Sequence, residues 1–122
     1  MSVEQALYDR LTGYAGLIAL VGDKIYAVTA PQGIIAPFVV FQKISPGRKY
    51  AMGGYVGIQE TRFQISCFAD NYETNKNIAG QVTAALESWT GATVYQEGES
   101  DIFEKETERY HIPLDYKIWY QG

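Results

Sequence analysis

The most informative segment of the chain covers residues 59–89 and reads QETRFQISCFADNYETNKNIAGQVTAALESW. In its first part, apolar Phe63, Ile65, Cys67 and Ala69 alternate with polar Glu60, Arg62, Gln64 and Ser66. This period of two predicts a strand with one buried face and one largely solvated face. Further on, a helical period links Ile78, Ala79, Val82, Ala85, Leu86 and Trp89. The segment therefore predicts a strand followed by the main helix, which Asp70 and Glu73 cap and Thr90-Gly91 ends.

On the C-terminal side, the pattern predicts further strands separated by charged turns. Residues 92–96 form a strand candidate, residues 97–101 an acidic turn, and Ile102-Phe103 a short piece that pairs back. The last strand is the clearest in the chain. It alternates Tyr110, Ile112, Leu114, Tyr116, Ile118 and Tyr120 with Arg109, His111, Pro113, Asp115 and Lys117. Because proline cannot donate a ladder hydrogen bond, Pro113 predicts an edge position or a bulge.

On the N-terminal side, the sequence predicts helix before strand. Ser2 and Gln5 have the spacing of a capping box, and Val3, Ala6, Leu7 and Leu11 follow at helical spacing up to Gly13. Residues 15–21 predict one or two further helical turns, and residues 24–28 a short strand. Residues 38–45 read as another strand. Its opening run FVVF is apolar on both faces, so we expect it in the middle of the sheet.

These elements predict an α+β fold. Consecutive strands joined by hairpins imply a mostly antiparallel sheet of four to five strands. An N-terminal helix and one main helix would pack on one face of that sheet.

Bulk composition limits the classes of protein to which the chain can belong. With 122 residues, 47% hydrophobic and 20% charged, we expect one domain, residues 1–122. A net charge of −4 speaks against wrapping nucleic acid, because phosphate binding needs clustered Lys and Arg. Cys67 is the single cysteine, so no internal disulfide can form, as expected in a reducing cytosol. The sequence has no signal-peptide pattern and no apolar run of about 18 residues, so we expect synthesis in the cytoplasm and no membrane partner.

Candidate chemistry is sparse. Cys67 and His111 would form a nucleophile–base pair if they met, but they lie on opposite kinds of strand face, apolar and polar. The carboxylates Glu97, Glu99 and Asp101 alternate as in some Ca²⁺ loops, yet the full loop pattern is missing and a solvated hairpin tip explains them better. We therefore expect no catalytic residue, no metal and no cofactor.

Residues 46–57, PGRKYAMGGYVG, form a long connection between two predicted strands. A turn of about two residues would be enough to join them. The four glycines Gly47, Gly53, Gly54 and Gly57 do not make a phosphate loop, since no G-K-[ST] follows and the segment leads into a strand. One interpretation is an arm that contacts a neighbouring subunit; the alternatives are a hairpin tip with no such role, or a nucleic-acid contact through Arg48, Lys49 and Tyr50. The arm contacts would come from Arg48, Lys49, Tyr50, Met52, Tyr55 and Val56.

Taken in order, several stretches resemble a known family. They are ALYDRLT (6–12), LIALVGDKIY (17–26), APQG (30–33), PFVVFQ (37–42), RFQISCFA (62–69) and LDYKIWY (114–120), with the helix at residues 72–89 between the last two. Their order and spacing over nearly the whole chain resemble the small tail-completion, or tail-to-head joining, proteins of siphophages and prophages, which are similar in fold to tail terminators.

The resemblance implies a structural role without catalysis. Such a protein would form a ring, expected to be hexameric, that caps the tail tube and meets the head connector. The implied partners are other copies of the chain, the tail tube protein and the head–tail connector or adaptor proteins, with DNA only passing through the lumen. The implied location is the tail or neck of the virion, after assembly in the host cytoplasm. The loop at residues 46–57 corresponds to one that reaches toward neighbours, and a possible acidic lumen would be lined by Glu97, Glu99, Asp101, Glu104 and Glu106. The alternative function is a small monomeric protein- or ligand-binding module, such as an adaptor or inhibitor.

Overall fold

A computed structural model describes residues 2–45 and 59–120 of the chain. These residues form three helices and six strands. In chain order they are α1 (Val3–Thr12), α2 (Ala15–Val21), β1 (Ile25–Ala27), β2 (Phe38–Ser45), β3 (Gln59–Ala69), α3 (Tyr72–Glu87), β4 (Thr93–Glu99), β5 (Ile102–Glu104) and β6 (Arg109–Tyr120). The predicted α+β class is confirmed. No helix within these two ranges is long and apolar enough to cross a bilayer.

The strands form a single mixed sheet in the order β1-β2-β3-β6-β4, and β5 extends the same side of β6 as β4. All pairs are antiparallel except β1 with β2. The mostly antiparallel sheet is thus confirmed, but the predicted count of four to five strands is wrong. The sequence placed short pieces at residues 24–28 and at Ile102-Phe103, where β1 and β5 form, but each strand has only three residues, too few to show the period of two by which a full strand is counted. The predicted interior position of β2 is confirmed, since it lies between β1 and β3.

The helices cover one face of the sheet, here called the inner face, and the opposite face is called the outer face. Phe63, Ile65 and Cys67 of β3 are fully buried on the inner face, as are Leu114 and Ile118 of β6. They pack with buried side chains of the helices into one core. Its helical members include Leu7, Leu11, Leu17, Ile78, Val82, Ala85 and Leu86. Burying each large aliphatic side chain contributes about 1.5–3 kcal/mol, so this layer carries the fold.

The helix termini differ in detail from the predicted caps. Ser2 Oγ accepts a hydrogen bond from the Gln5 amide at 3.1 Å, but Gln5 Nε2 donates to Asp9 Oδ1 at 2.9 Å, so only half of the predicted capping box forms. Asn71, not Asp70, caps α3, with its Oδ1 accepting from the Thr74 amide at 2.8 Å. Asn71 has the extended conformation that an N-cap requires directly before the first helical residue. The helix also ends at Glu87, before the predicted Trp89.

Pro113 lies inside the sheet, which corrects the predicted edge position. The carbonyl of Pro113 accepts a hydrogen bond from the Ser100 amide at 3.4 Å, so its backbone nitrogen faces the break between β4 and β5. At this break no ladder partner is needed, and the proline is tolerated there. Correspondingly, β4 extends through Glu99, and most of the predicted acidic turn is strand.

The sheet has two distinct ends. At one, called the loop end, β2 stops at Ser45 and β3 starts at Gln59. At the other, called the corner end, β3 finishes at Ala69 opposite Tyr110, and β5 pairs with the start of β6. The chain between 45 and 59 therefore leaves and re-enters the fold at the loop end.

Candidate functional site

The structure separates the two residues that would have to meet for cysteine chemistry. Cys67 lies on the inner face, opposite Ile112, and His111 lies on the outer face, opposite Phe68. Burial, with a smaller contribution from Glu99, raises the pKa of the Cys67 thiol well above its usual range. A buried thiol held in its neutral form is a poor nucleophile, so the interpretation of Cys67 as a small core residue is confirmed.

His111 occupies an apolar position on the outer face. Its ring stacks on Phe68 with the centroids 4.3 Å apart, and its Nδ1 lies 3.6 Å from a carboxylate oxygen of Glu104. Its Nε2 is buried and has no hydrogen-bond partner in residues 2–45 and 59–120. Burial lowers the pKa of His111, an effect that Glu104 opposes in part. The imidazole is therefore held neutral and packs as an aromatic ring.

The carboxylates that the sequence grouped together are divided between the two faces. Glu97 pairs with Arg62 at 3.0 Å on the outer face. Glu99 and Asp101 both pair with Lys76 of α3, at 3.1 and 3.2 Å. The ammonium group of Lys76 thus occupies the position where a cation would bind. Within the described ranges, no group of three or more His, Cys, Asp or Glu residues could hold a metal ion.

Two members of the predicted acidic lumen lie nearer the turn between β5 and β6. Glu104 contacts His111 and accepts a hydrogen bond from Thr107 at 3.2 Å, whereas Glu106 is exposed. Whether any of Glu97, Glu99, Asp101, Glu104 and Glu106 faces a channel depends on the orientation of a ring, and the lumen stays a prediction.

The predicted arm lies outside the described residues. This holds for Arg48, Lys49, Tyr50, Met52, Tyr55 and Val56, and for the glycines of the same segment. The structure fixes the two positions from which the segment departs and to which it returns, both at the loop end of the sheet.

At the opposite end, the structure forms an exposed apolar surface that the sequence did not reveal. We call it the aromatic corner: Tyr72 at the start of α3, Ile102 and Phe103 of β5, and Tyr110 of β6. Tyr72, Ile102 and Phe103 are 44%, 43% and 50% exposed, and they surround a small cavity of about 140 Å³. The rings are mutually packed, with Phe103 and Tyr72 lying 5.0 and 6.0 Å from Tyr110.

Polar contacts hold the aromatic corner in place. The Tyr72 hydroxyl donates to Asp101 Oδ2 at 3.0 Å, and the Lys76 ammonium lies 5.6 Å from the centre of the Tyr72 ring. Lys76 also joins Asp101 to Glu99, which raises the pKa of the lysine. These contacts join α3 to the segment between β4 and β5. They hold the exposed rings in fixed positions. Such preorganised aromatic side chains are typical of protein contact sites.

Two grooves lie elsewhere on the molecule. One, of about 500 Å³, runs between residues 28–34 and the outer face, where Arg109 donates to the Ile34 carbonyl at 2.6 Å and lies over the Phe38 ring. The other, of about 670 Å³, lies between α1 and β2. Val28 lines both grooves and has a left-handed backbone (φ 70°), which is costly for a β-branched residue.

Comparison with known proteins gives a family and similar solved structures. Residues 5–121 match the family model described as "Tail completion protein gp17". No curated protein matches the sequence. Among solved structures, the fold is similar to that of a chain in "Virion of native gene transfer agent (GTA) particle", with a TM-score of 0.76 and 21% identity. The similarity covers 99% of this chain and 96% of that chain, and at this identity it concerns the fold.

Proposed function

The chain belongs to the tail completion protein gp17 family, and we propose that it forms a ring that completes the tail tube and joins it to the head connector. Family membership makes it a structural component of a phage tail rather than a member of an enzyme family. The observation that carries the proposal is the match of the family model over residues 5–121, which includes every described helix and strand except the first two residues of α1. The similarity in fold to a chain of a virion-like particle supports it.

The two ends of the subunit support the ring. A closed ring of identical subunits uses heterologous contacts, in which one patch of a subunit meets a different patch of the next. The loop end of this chain carries the 46–58 segment, and the corner end carries exposed aromatic side chains. We propose six copies, with the predicted arm contacting the neighbouring subunit. One rim of the ring would bind the tail tube protein and the other the connector, in the neck of the virion.

Deletion of the gene from the phage or prophage that encodes the chain tests the proposal. Electron microscopy of the induced lysate should show filled heads separated from tails, or tails of abnormal length. Expression of the intact chain from a plasmid should restore joined particles. Normal infectious particles in the deletion lysate would contradict the proposal and favour the monomeric binding module.

A further inference from the structure

The aromatic corner leaves several large apolar side chains exposed to water. Phe103 and Tyr72 each leave nearly half of their surface in contact with water, although their rings contact Tyr110. Large exposed side chains that are clustered and held in place by other contacts mark contact sites more often than scattered ones do. A partner that covered this corner would bury two rings and Ile102 together.

The rim of the aromatic corner is acidic. Glu97 pairs with Arg62 and Lys117 on the sheet, and residues 98–109 contain five further carboxylates and only two cations, Lys105 and Arg109. Lys76 of α3 offsets part of this charge by pairing with Glu99 and Asp101. Glu106 and Glu108, in the turn beside Phe103, are exposed and form no ion pair with any other described residue. A suitable partner is therefore basic and carries apolar or aromatic side chains.

One segment of the same chain has this chemistry. Residues 46–58 contain Arg48 and Lys49, no acidic residue, and the apolar side chains of Tyr50, Met52 and Tyr55. We propose that the aromatic corner of one copy binds residues 46–58 of a second copy. The inference rests on the proposed ring and names the surface that receives the arm.

The dimensions of the sheet exclude the same contact within one copy. The segment departs at the loop end, and β3 then runs the full length from Gln59 to Ala69 before the corner is reached. At about 3.3 Å per residue the corner lies about 33 Å from Gln59, but about 23 Å from the level of Ser45, which pairs with Arg62. The thirteen residues between Ser45 and Gln59 span at most about 50 Å, which is less than the path of about 56 Å to the corner and back. The corner is therefore within reach only of a neighbouring subunit's segment.

Because the segment and its receptor lie at opposite ends of the subunit, the contact is heterologous. Each copy donates one segment and receives one, and the same contact repeats from subunit to subunit. Repetition closes a ring when the rotations between successive subunits add up to a full turn. The charge pairing between Arg48 or Lys49 and the rim favours the correct register.

Cysteine crosslinking in assembled tails tests the contact directly. Ile102→Cys is combined with Ala51→Cys or with Gly54→Cys, and Tyr95→Cys replaces Ile102→Cys in the matched control. Tyr95 is 60% exposed but lies in β4, away from the aromatic corner. The natural Cys67 is buried, so it does not take part in crosslinking. Oxidation should produce multimers of the chain that reduction dissolves, about tenfold more in the corner pairs than in the control pairs. Equal crosslinking in corner and control pairs, or none in either corner pair, would overturn the proposal, as would crosslinking of Ile102→Cys only to a different protein.

Charge reversal gives a second test that does not disturb packing. Glu106→Lys with Glu108→Lys changes only exposed side chains, and should lower the yield of joined particles about tenfold. Adding Arg48→Glu and Lys49→Glu to the same chain should restore the yield of joined particles. If the deletion separates heads from tails but the Glu106→Lys, Glu108→Lys variant complements it fully, the contact is wrong while the joining function stands. If the deletion itself has no effect, the joining function fails.

Discussion

His111 shows how a single titratable side chain adapts to a sheet face. The ring stacks on Phe68, Arg109 lies two residues before it on the same face, and Glu104 provides the only nearby carboxylate in the described part of the chain. Burial lowers the pKa of the imidazole from its ordinary 6.5 more than Glu104 raises it. The folded protein therefore takes up a proton at His111 at a lower pH than the unfolded chain does.

This difference predicts a loss of stability in acid. As the pH falls below about 6.5, His111 becomes protonated in the unfolded chain while its imidazole stays neutral in the folded protein. The free energy of unfolding therefore decreases. His111→Phe keeps a ring on Phe68 and removes the titration. Denaturant unfolding at about pH 7.5 and about pH 5 should show a smaller loss of stability for His111→Phe than for the natural chain. Equal losses would show that His111 is not held neutral.

At the scale of elements, an arginine joins two helices. Arg10 of α1 donates through Nε to the Ala85 carbonyl at 2.8 Å and through Nη2 to Ser88 Oγ at 2.7 Å, both at the C-terminal end of α3. The last carbonyls of a helix have no partner within the helix, and the negative end of its dipole attracts a cation. Arg10 therefore caps α3 and fixes its position against α1.

Removing this cap should destabilise the fold measurably. We expect Arg10→Ala to lower the free energy of unfolding by about 2 kcal/mol, because a charge-assisted hydrogen bond to a partly buried carbonyl is lost. Lys105→Ala, which removes a cation with no contact to another described residue, should change it by less than about 0.5 kcal/mol. Thermal unfolding of the two variants beside the natural chain provides the comparison. The same stability in both variants would show that the cap contributes nothing.

The elements that were predicted correctly share a long, regular pattern. β3, β6 and α3 each repeat their apolar period several times, and all three were located from that period. The errors fall where the pattern is short or where tertiary contacts intervene. β1 forms within the predicted residues 24–28, but its parallel pairing with β2 was not predicted, and Pro113 is tolerated because β4 and β5 end on either side of it.

At the scale of the whole molecule, the predicted contact site was only partly accessible to sequence reasoning. The length and apolar content of residues 46–57 predict the arm, because both are local properties. The aromatic corner combines Tyr72, Phe103 and Tyr110, which are separated in sequence and meet only when β5 pairs with β6 beside the start of α3. Its one local signal, the apolar pair Ile102-Phe103 after an acidic stretch, is also typical of an ordinary short strand.

The division between core and arm predicts that folding and assembly can be separated. Every residue of the buried cluster found in the described ranges lies before Ser45 or after Gln59. Replacing residues 47–57 by Asn-Gly keeps β2 and β3 joined by a short turn. Shortening a loop by this amount changes its closure entropy by less than about 1 kcal/mol, so the cooperative thermal unfolding seen by circular dichroism should be preserved.

The same variant should fail to restore joined particles to a deletion strain, because the segment proposed to bind the neighbouring subunit is gone. A folded variant that restored them fully would show that the arm has no part in assembly, and one that did not fold would show that residues 47–57 belong to the core.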